Sequence, residues 1–439
     1  MNITLEQVLA LAPDASSAAA GRKLANANAW SGLGSNEAAI WGECQGSALY
    51  QVRVDRADLA AKCTCPSRKL PCKHTLGLLV LAATTPAKLS DANAPEWVSE
   101  WLMRRAGVAI KKESKRQEAA ETPPDPEAQA KRAAKRQARV QDGIELLDLW
   151  LADLMRNGLA GLEAQGPAPW HKQAARLVDA QAPGLAAWLR RLAELPGSAG
   201  WEQRLLGELG RLALLTHAFR RLDQLPAPLR QDVRGLVGFT LERDEVIAHG
   251  DVVADQWHVL GITEEQEEKL RIQRTWLIGH ATWRPALILQ FAIGGAGFAE
   301  RLLPDSLIDA DLAFWPSAWP LRALIKERRL SDQPRPPLPA VDRIESILRQ
   351  WAEALAANPW LDRIPIAARH LLPLRGGSGR WFVEDADGQR LPLRGNDGWR
   401  LLALSGGGPL DLTGEWDGHA LLPLLAVPSA ALAEPRSAA

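Results

Sequence analysis

The chain has 439 residues, 46% of them hydrophobic and 24% charged, and its 52 basic side chains balance 52 acidic ones. That length exceeds a single compact core and implies several domains, and a neutral chain of globular composition has no overall field to draw it to nucleic acid or membrane. The first residues lack a basic leader and carry Glu6 inside their apolar run. The uncharged stretches 75–87 and 420–433 fall short of the ~18 residues that span a bilayer, so a cytoplasmic protein with no membrane partner is expected.

Residues 1–109 read as a small domain. Thr4 to Leu11 is a helix with Thr4 and Gln7 as a capping pair, and Asp14 to Asn28 is a second helical pattern. Short runs at Ala38–Glu43 and Ala48–Asp55 flank Gly46 and Ser47. Tyr50, Val52 and Val54 alternate with Gln51, Arg53 and Asp55, the period of a half-buried strand, so a hairpin is expected. A buried helix over Thr75–Leu81 ends near Pro86, and Trp97 and Trp101, four apart, form a last helical turn.

Residues 110–139 differ. From Arg104 to Arg139 eleven basic residues stand against five acids, with Pro123, Pro124 and Pro126 among them and almost no apolar residue beyond alanine. Such a segment has no core and is a basic linker or an exposed helix. Residues 140–240 show helical stripes, Ile144, Leu147, Trp150, Leu151 and Leu154, then Leu205, Leu209, Leu212 and Leu215.

Residues 241–439 read as mixed helix and antiparallel sheet. Strands are expected at Leu270–Ile278 and Ala286–Ile293, and a helix at Val341–Ala357. Hairpins are expected at Asp387-Gly388, Asp397-Gly398 and Asp417-Gly418. The fold class is therefore multidomain α+β: a small ββα-like finger domain, a helical middle and a mixed α/antiparallel-β C-terminal region.

Chemistry concentrates near the N-terminus. All four cysteines, Cys44, Cys63, Cys65 and Cys72, precede Lys73, and three of them share twelve positions with His74. Three thiolates and an imidazole are a regular tetrahedral set for zinc, and in extended chain residues two apart point to one side, so Cys63 and Cys65 can share an ion. Cys72 and His74 supply the second pair at the start of the next helix. Pro66 and Pro71 stiffen the turn between the pairs. No ligand position stays open for water, which makes this a structural zinc site. Buried thiols beside a surface histidine are the competing reading, and four ligand types in so short a span weigh against it. A redox pair is disfavoured because Cys-x-Cys is too tight for an easy disulfide. Cys44 reads as a small buried residue.

This Cys-x-Cys, Cys-x-His pattern, following a hairpin and entering a helix, resembles the SWIM-type zinc finger over about residues 40–82. The flanking Trp41-Gly42-Glu43-Cys44-Gln45-Gly46-Ser47 and Cys65-Pro66-Ser67-Arg68-Lys69 are similar to bacterial SWIM-finger proteins. The resemblance implies zinc on Cys63, Cys65, Cys72 and His74 and an interaction role with DNA or protein. It also implies a partner of the MoxR-type ATPase class, since some bacterial relatives are encoded beside one.

Elsewhere the signals are bland. The chain contains no Gly-Lys pair, so no phosphate loop is present. Gly294, Gly295 and Gly297 read as a bend, and Ser378 as part of a loop. His249 with Asp251 and His258 with Asp255 carry no motif, so structural histidines are preferred there over acid–base groups, and Glu264, Glu265, Glu267 and Glu268 read as a solvated helix face or turn. Among the 18 tryptophans, Trp150, Trp188, Trp201 and Trp351 sit in apolar patterns. Trp276 and Trp283, beside Arg274 and Arg284, come closest to a base-stacking platform, and core packing is the preferred reading for them too.

The expected function is a non-catalytic zinc protein whose finger is an adaptor for a partner protein. The alternative is DNA binding through Arg68, Lys69 and Lys73 on the finger with Lys131, Arg132, Lys135 and Arg136 on the basic segment.

Overall fold

In the computed structural model, which describes residues 4–67, 69–107, 126–159, 161–198, 200–267, 270–293, 298–300, 302–329, 336–377, 379–395 and 397–429, the first helix starts from a reciprocal cap. The Gln7 amide donates to Thr4 Oγ1 at 3.2 Å and the Thr4 amide to Gln7 Oε1 at 2.9 Å, which fixes α1 (Leu5–Ala10). Asp14 caps α2 (Ala15–Leu24) through the Ser17 amide. Then come β1 (Trp30–Ser35), β2 (Ala39–Gln45), β3 (Leu49–Asp55), β4 (Ala61–Cys63), α3 (Lys73–Thr84), β5 (Ser90–Asp91) and α4 (96–107).

These strands form a sheet in the order β4-β3-β2-β1-β5, antiparallel except where β1 meets β5. Ile40, Cys44, Val52 and Val54 pack one face against Leu76, Leu79 and Val80 of α3. Ala39 and Trp41 pack the other face against Val98 of α4. Trp97 and Trp101 do more than close the domain. They stack over the guanidinium of the buried Arg53, at 5.2 and 5.8 Å from the ring centres. Helix α2 crosses α3 closely at Gly21, where a Cβ would lie 2.6 Å from Leu76 Cβ.

Helix α5 (Pro126–Asn157) runs through the boundary expected at 139/140. The basic segment from Lys131 to Arg139 is thus the first part of a bundle helix, and its alanine-rich composition favours that state. The rest of the expected linker, 110–125, lies outside the described residues. The bundle continues with α6 (Leu162–Gln165), α7 (Ala168–Asp179), α8 (Pro183–Ala193), α9 (Trp201–Arg220) and α10 (Ala227–Val237). Its core joins Ile144, Leu147, Trp170, Leu189, Leu205 and Leu212.

After α11 (Arg243–His249) the chain forms a closed barrel from β6 (Asp251–Glu267), β7 (Leu270–Gly279), β8 (Pro285–Ile293), β9 (Leu307–Phe314) and β10 (Arg322–Arg329). The order β6-β7-β8-β10-β9 returns to β6, with β8 and β10 parallel and the other pairs antiparallel, the connectivity of an OB barrel. Glu268 lies outside the described residues, but Glu264, Glu265 and Glu267 lie on β6, with Glu264 paired to Arg271 and Glu265 to Arg274 of β7, so this part of the acidic run is strand, not helix or turn. Cross-strand arginines neutralise it, a partner that its local spacing did not reveal.

Helix α12 (Ile344–Ala357) begins later than expected, because Val341 bridges to Ala368 of the next strand. The last elements are β11 (Ile364–Arg375), β12 (Trp381–Glu384), β13 (Arg390–Pro392), α13 (Gly398–Ser405), β14 (Leu410–Trp416) and β15 (Leu421–Pro428), with a sheet ordered β13-β12-β11-β14-β15. Two Asp-Gly hairpins are present, between β12 and β13 and between β14 and β15. Asp397-Gly398 instead opens α13, where a Cβ on residue 398 would lie 2.0 Å from the Trp381 ring. That glycine answers a close approach rather than a turn.

The units are joined by specific contacts. Leu303, in the connection between β8 and β9, belongs to the finger-domain core. Trp360 enters the bundle core and donates to the Arg211 carbonyl at 3.0 Å. Thr413 donates its hydroxyl to the Leu260 carbonyl at 2.6 Å, seating the last sheet on the barrel. No helix among the described residues is long and apolar enough to cross a membrane.

Candidate metal centre

The β3–β4 hairpin carries the first ligand pair. Val52 faces Cys63 across the ladder, and beyond it the Thr64 amide donates to Gln51 O at 3.1 Å while the Gln51 amide donates to Thr64 Oγ1 at 3.0 Å. Those two bonds keep the chain extended through Cys63-Thr64-Cys65, so the two thiols fall on the same side. Cys72 is the N-cap residue of α3 and His74 lies in its first turn. Helix start and hairpin end meet there.

Ligand atoms of Cys63, Cys65, Cys72 and His74 all lie within 4.8 Å of one another, and Cys63 Sγ is 3.8 Å from His74 Nδ1. A tetrahedral zinc with Zn–S bonds of about 2.3 Å sets ligand atoms about 3.8 Å apart, so this cage has the size and donor chemistry for zinc. It is arranged to hold one metal ion in a closed, structural set. Cys72 and His74 are buried, and Cys63 and Cys65 are half-buried.

Surrounding groups orient the ligands. The Tyr50 ring lies 4.7 Å from the His74 ring, and Thr75 Oγ1 is 3.4 Å from Cys72 Sγ. The Cys72 thiol is held well below the ordinary thiol range, first by the hydrogen bond from Cys63 against the cost of burial, with His74 and Thr75 adding to it. Cys63 moves upward through that same hydrogen bond and through burial, and burial also raises Cys65. The thiols thus share one hydrogen-bonded cluster, in which a bound dication would favour their ionised forms. Cys44 is fully buried and burial raises its thiol, as befits a core residue.

A cleft of about 460 Å³ opens beside the centre, lined by Ser16 and Ser17 of α2, Ser47 and Tyr50 of the β2–β3 hairpin, and Lys69 and Lys73. Lys69 Nζ is 2.7 Å from Asp14 Oδ2, so that cation is neutralised at the rim. Lys73 is exposed. Arg68 lies outside the described residues. On α5, Lys131, Arg132 and Lys135 are exposed, whereas Arg136 donates to Gly238 O at 2.8 Å and stacks 4.3 Å over Phe239. Arg136 therefore fastens α5 to the end of α10. Sequence reasoning missed Tyr50, Thr75 and Asp14 as supports of the centre. Only the Asp14 helix cap carried a local signal.

The other candidates stay apart from this centre. Trp276 is fully buried and donates its indole N–H to Glu415 Oε1 at 2.7 Å, while Trp283 is 52% exposed on the β7–β8 turn. His258 is buried in the barrel with its ring 5.9 Å from that of His280. Gly294, Gly295, Gly297 and Ser378 lie outside the described residues.

Residues 50–82 match the family model of the SWIM zinc finger, and residues 135–237 match that of the SWIM-associated four-helix bundle domain. Neither the curated proteins nor the solved structures gave a match. With the ligand cage and these two matches together, the chain is a protein with a SWIM-type zinc finger near its N-terminus, its metal held by Cys63, Cys65, Cys72 and His74, and with the helical bundle domain that is associated with such fingers.

Proposed function

We propose that the protein is a non-catalytic adaptor whose finger holds a partner protein at the cleft beside the zinc. The observation that carries this reading is the use of the basic side chains within the chain itself. Lys69 is paired with Asp14, and Arg136 is tied to Gly238 and Phe239. The barrel supports it too. The outer face of β7, which OB barrels use for oligonucleotides, is covered at Trp276 by the last sheet. A closed ligand set gives the zinc no position for a reacting water, so its role is to shape the cleft. An ATPase of the MoxR class is a partner that fits this reading.

Affinity capture from the native host, with and without nuclease, tests the idea. A retained protein should survive nuclease, rebind the purified chain, and rebind weakly to a Ser47→Arg variant that fills the cleft. Capture that vanishes with nuclease would remove the reading. DNA binding is the second reading, favoured by the exposed Lys131, Arg132 and Lys135 along the first turns of α5.

A further inference from the structure

Helix α9 is apolar on two opposite faces. Its inner face, with Leu205, Leu209, Leu212 and Leu215, is in the bundle core. Its outer face carries Leu206, Gly207, Gly210, Ala213 and Leu214, all exposed, with Leu206 at 50% and Leu214 at 46%. Exposed apolar residues gathered on one helix face, rather than scattered singly, mark a contact surface. Ideal Cβ atoms on Gly207 and Gly210 would meet nothing within 4 Å, so the centre of the outer stripe is open and lets another backbone come close. The stripe Gln203, Leu206, Gly210, Ala213 and His217 follows a repeat of about 3.5 residues, which suits a second helix crossing at about 20°.

The stripe is also nearly symmetric about Gly210. A second α9 laid antiparallel with Gly210 on the two-fold axis sets Leu206 against the second copy's Leu214. It also brings the acidic first turn at Glu202 beside the basic last turn at Arg220. Arg220 already pairs with Asp148 of α5, and its guanidinium has donors left for a second carboxylate. Opposed helix ends add favourable dipoles. We infer that this face is covered by a second copy of the chain, in an isologous dimer built on antiparallel α9 helices.

Sedimentation and oxidative cross-linking of the full chain test this. The chain should sediment at twice its monomer mass at ~100 µM, well above the roughly micromolar Kd of a weak but specific interface. The double variant Leu206→Glu, Leu214→Glu should weaken association at least tenfold with an unchanged circular-dichroism spectrum, since both side chains are exposed. Gly210→Cys should cross-link to itself on oxidation. Leu206→Cys should not do so alone, but should cross-link when mixed with Leu214→Cys, which separates antiparallel from parallel pairing. Val178→Cys, exposed on α7, is the negative control. A wild-type monomer at ~100 µM, or a dimer unchanged by the two glutamates, overturns the inference.

Discussion

Trp276 of the barrel donates its indole N–H to Glu415 of the last sheet at 2.7 Å, and Glu415 is 1% exposed. The other carboxylate oxygen accepts from Arg363 at 3.0 Å, and the Thr263 hydroxyl lies 3.2 Å from the first. A buried charge survives only when its partners are all present. Glu415→Ala should therefore destabilise the C-terminal region by about 3–5 kcal/mol, because Arg363 and Trp276 lose their partner together. Urea unfolding read by tryptophan fluorescence measures it. A change below about 1 kcal/mol would mean that the barrel and the sheet are held by apolar contacts alone.

The zinc centre makes a separate prediction. Protein prepared without chelator should carry one equivalent of zinc by elemental analysis. Cys72→Ser should lose it and unfold the finger locally, since ligation contributes on the order of 10 kcal/mol to such small sites. Hydrogen exchange should rise across β3, β4 and α3 and stay unchanged in α7 and α8, which belong to another core. Protection throughout α3 in the Cys72→Ser protein would show that its apolar face, Leu76, Leu79 and Val80, suffices without metal.

These two sites differ in how far the sequence reveals them. The zinc ligands are close in the chain, and their spacing alone brings them together. The Trp276–Glu415 pair spans 139 positions and has no periodic mark. The same division holds for the strands. Alternation exposed β3, and apolar runs exposed β7 and β8. The long β6 was hidden, because its acids look like a helix face until β7 supplies the arginines. Asp397-Gly398 carried a hairpin signature for a reason that only Trp381, at 2.0 Å from the missing Cβ, makes plain.

The β7–β8 turn should respond to acid. Asp255 accepts from the Thr282 hydroxyl at 2.6 Å and from the amides of Thr282 at 2.9 Å and Ala281 at 3.1 Å. Burial alone would raise its carboxyl, but the Thr282 hydroxyl and the amides of Ala281, Thr282 and Gln256 together outweigh burial and lower it. With the folded value below the ordinary ~3.9, its contribution is complete above that pH and is lost as pH falls through the folded value. The Ala281 and Thr282 amides should then lose exchange protection below about pH 4 in the wild type. Asp255→Asn should show no such acid step. An identical acid profile in both proteins would assign the response to another group.

The basic helix decides between the two readings of function. Arg136 is structural, through Gly238 O at 2.8 Å and Phe239 at 4.3 Å, so Arg136→Gln should cost about 1–2 kcal/mol of bundle stability. The exposed Lys131, Arg132 and Lys135 are replaced together by glutamine, without Arg136, so that charge is removed and α5 stays docked. If duplex DNA were the ligand, log affinity would fall with log salt by about 0.9 per phosphate contact, and the triple variant would flatten that slope by up to three contacts. An adaptor predicts the opposite pattern. Duplex binding should be weak at ~0.15 M salt in both proteins, and partner capture should be equal in both. The ranking follows from charge actually available: Lys69 is held by Asp14, and Arg136 is occupied by the bundle. Submicromolar duplex affinity at ~0.15 M salt, lost in the triple variant, would make DNA the primary ligand and the finger a second contact to it.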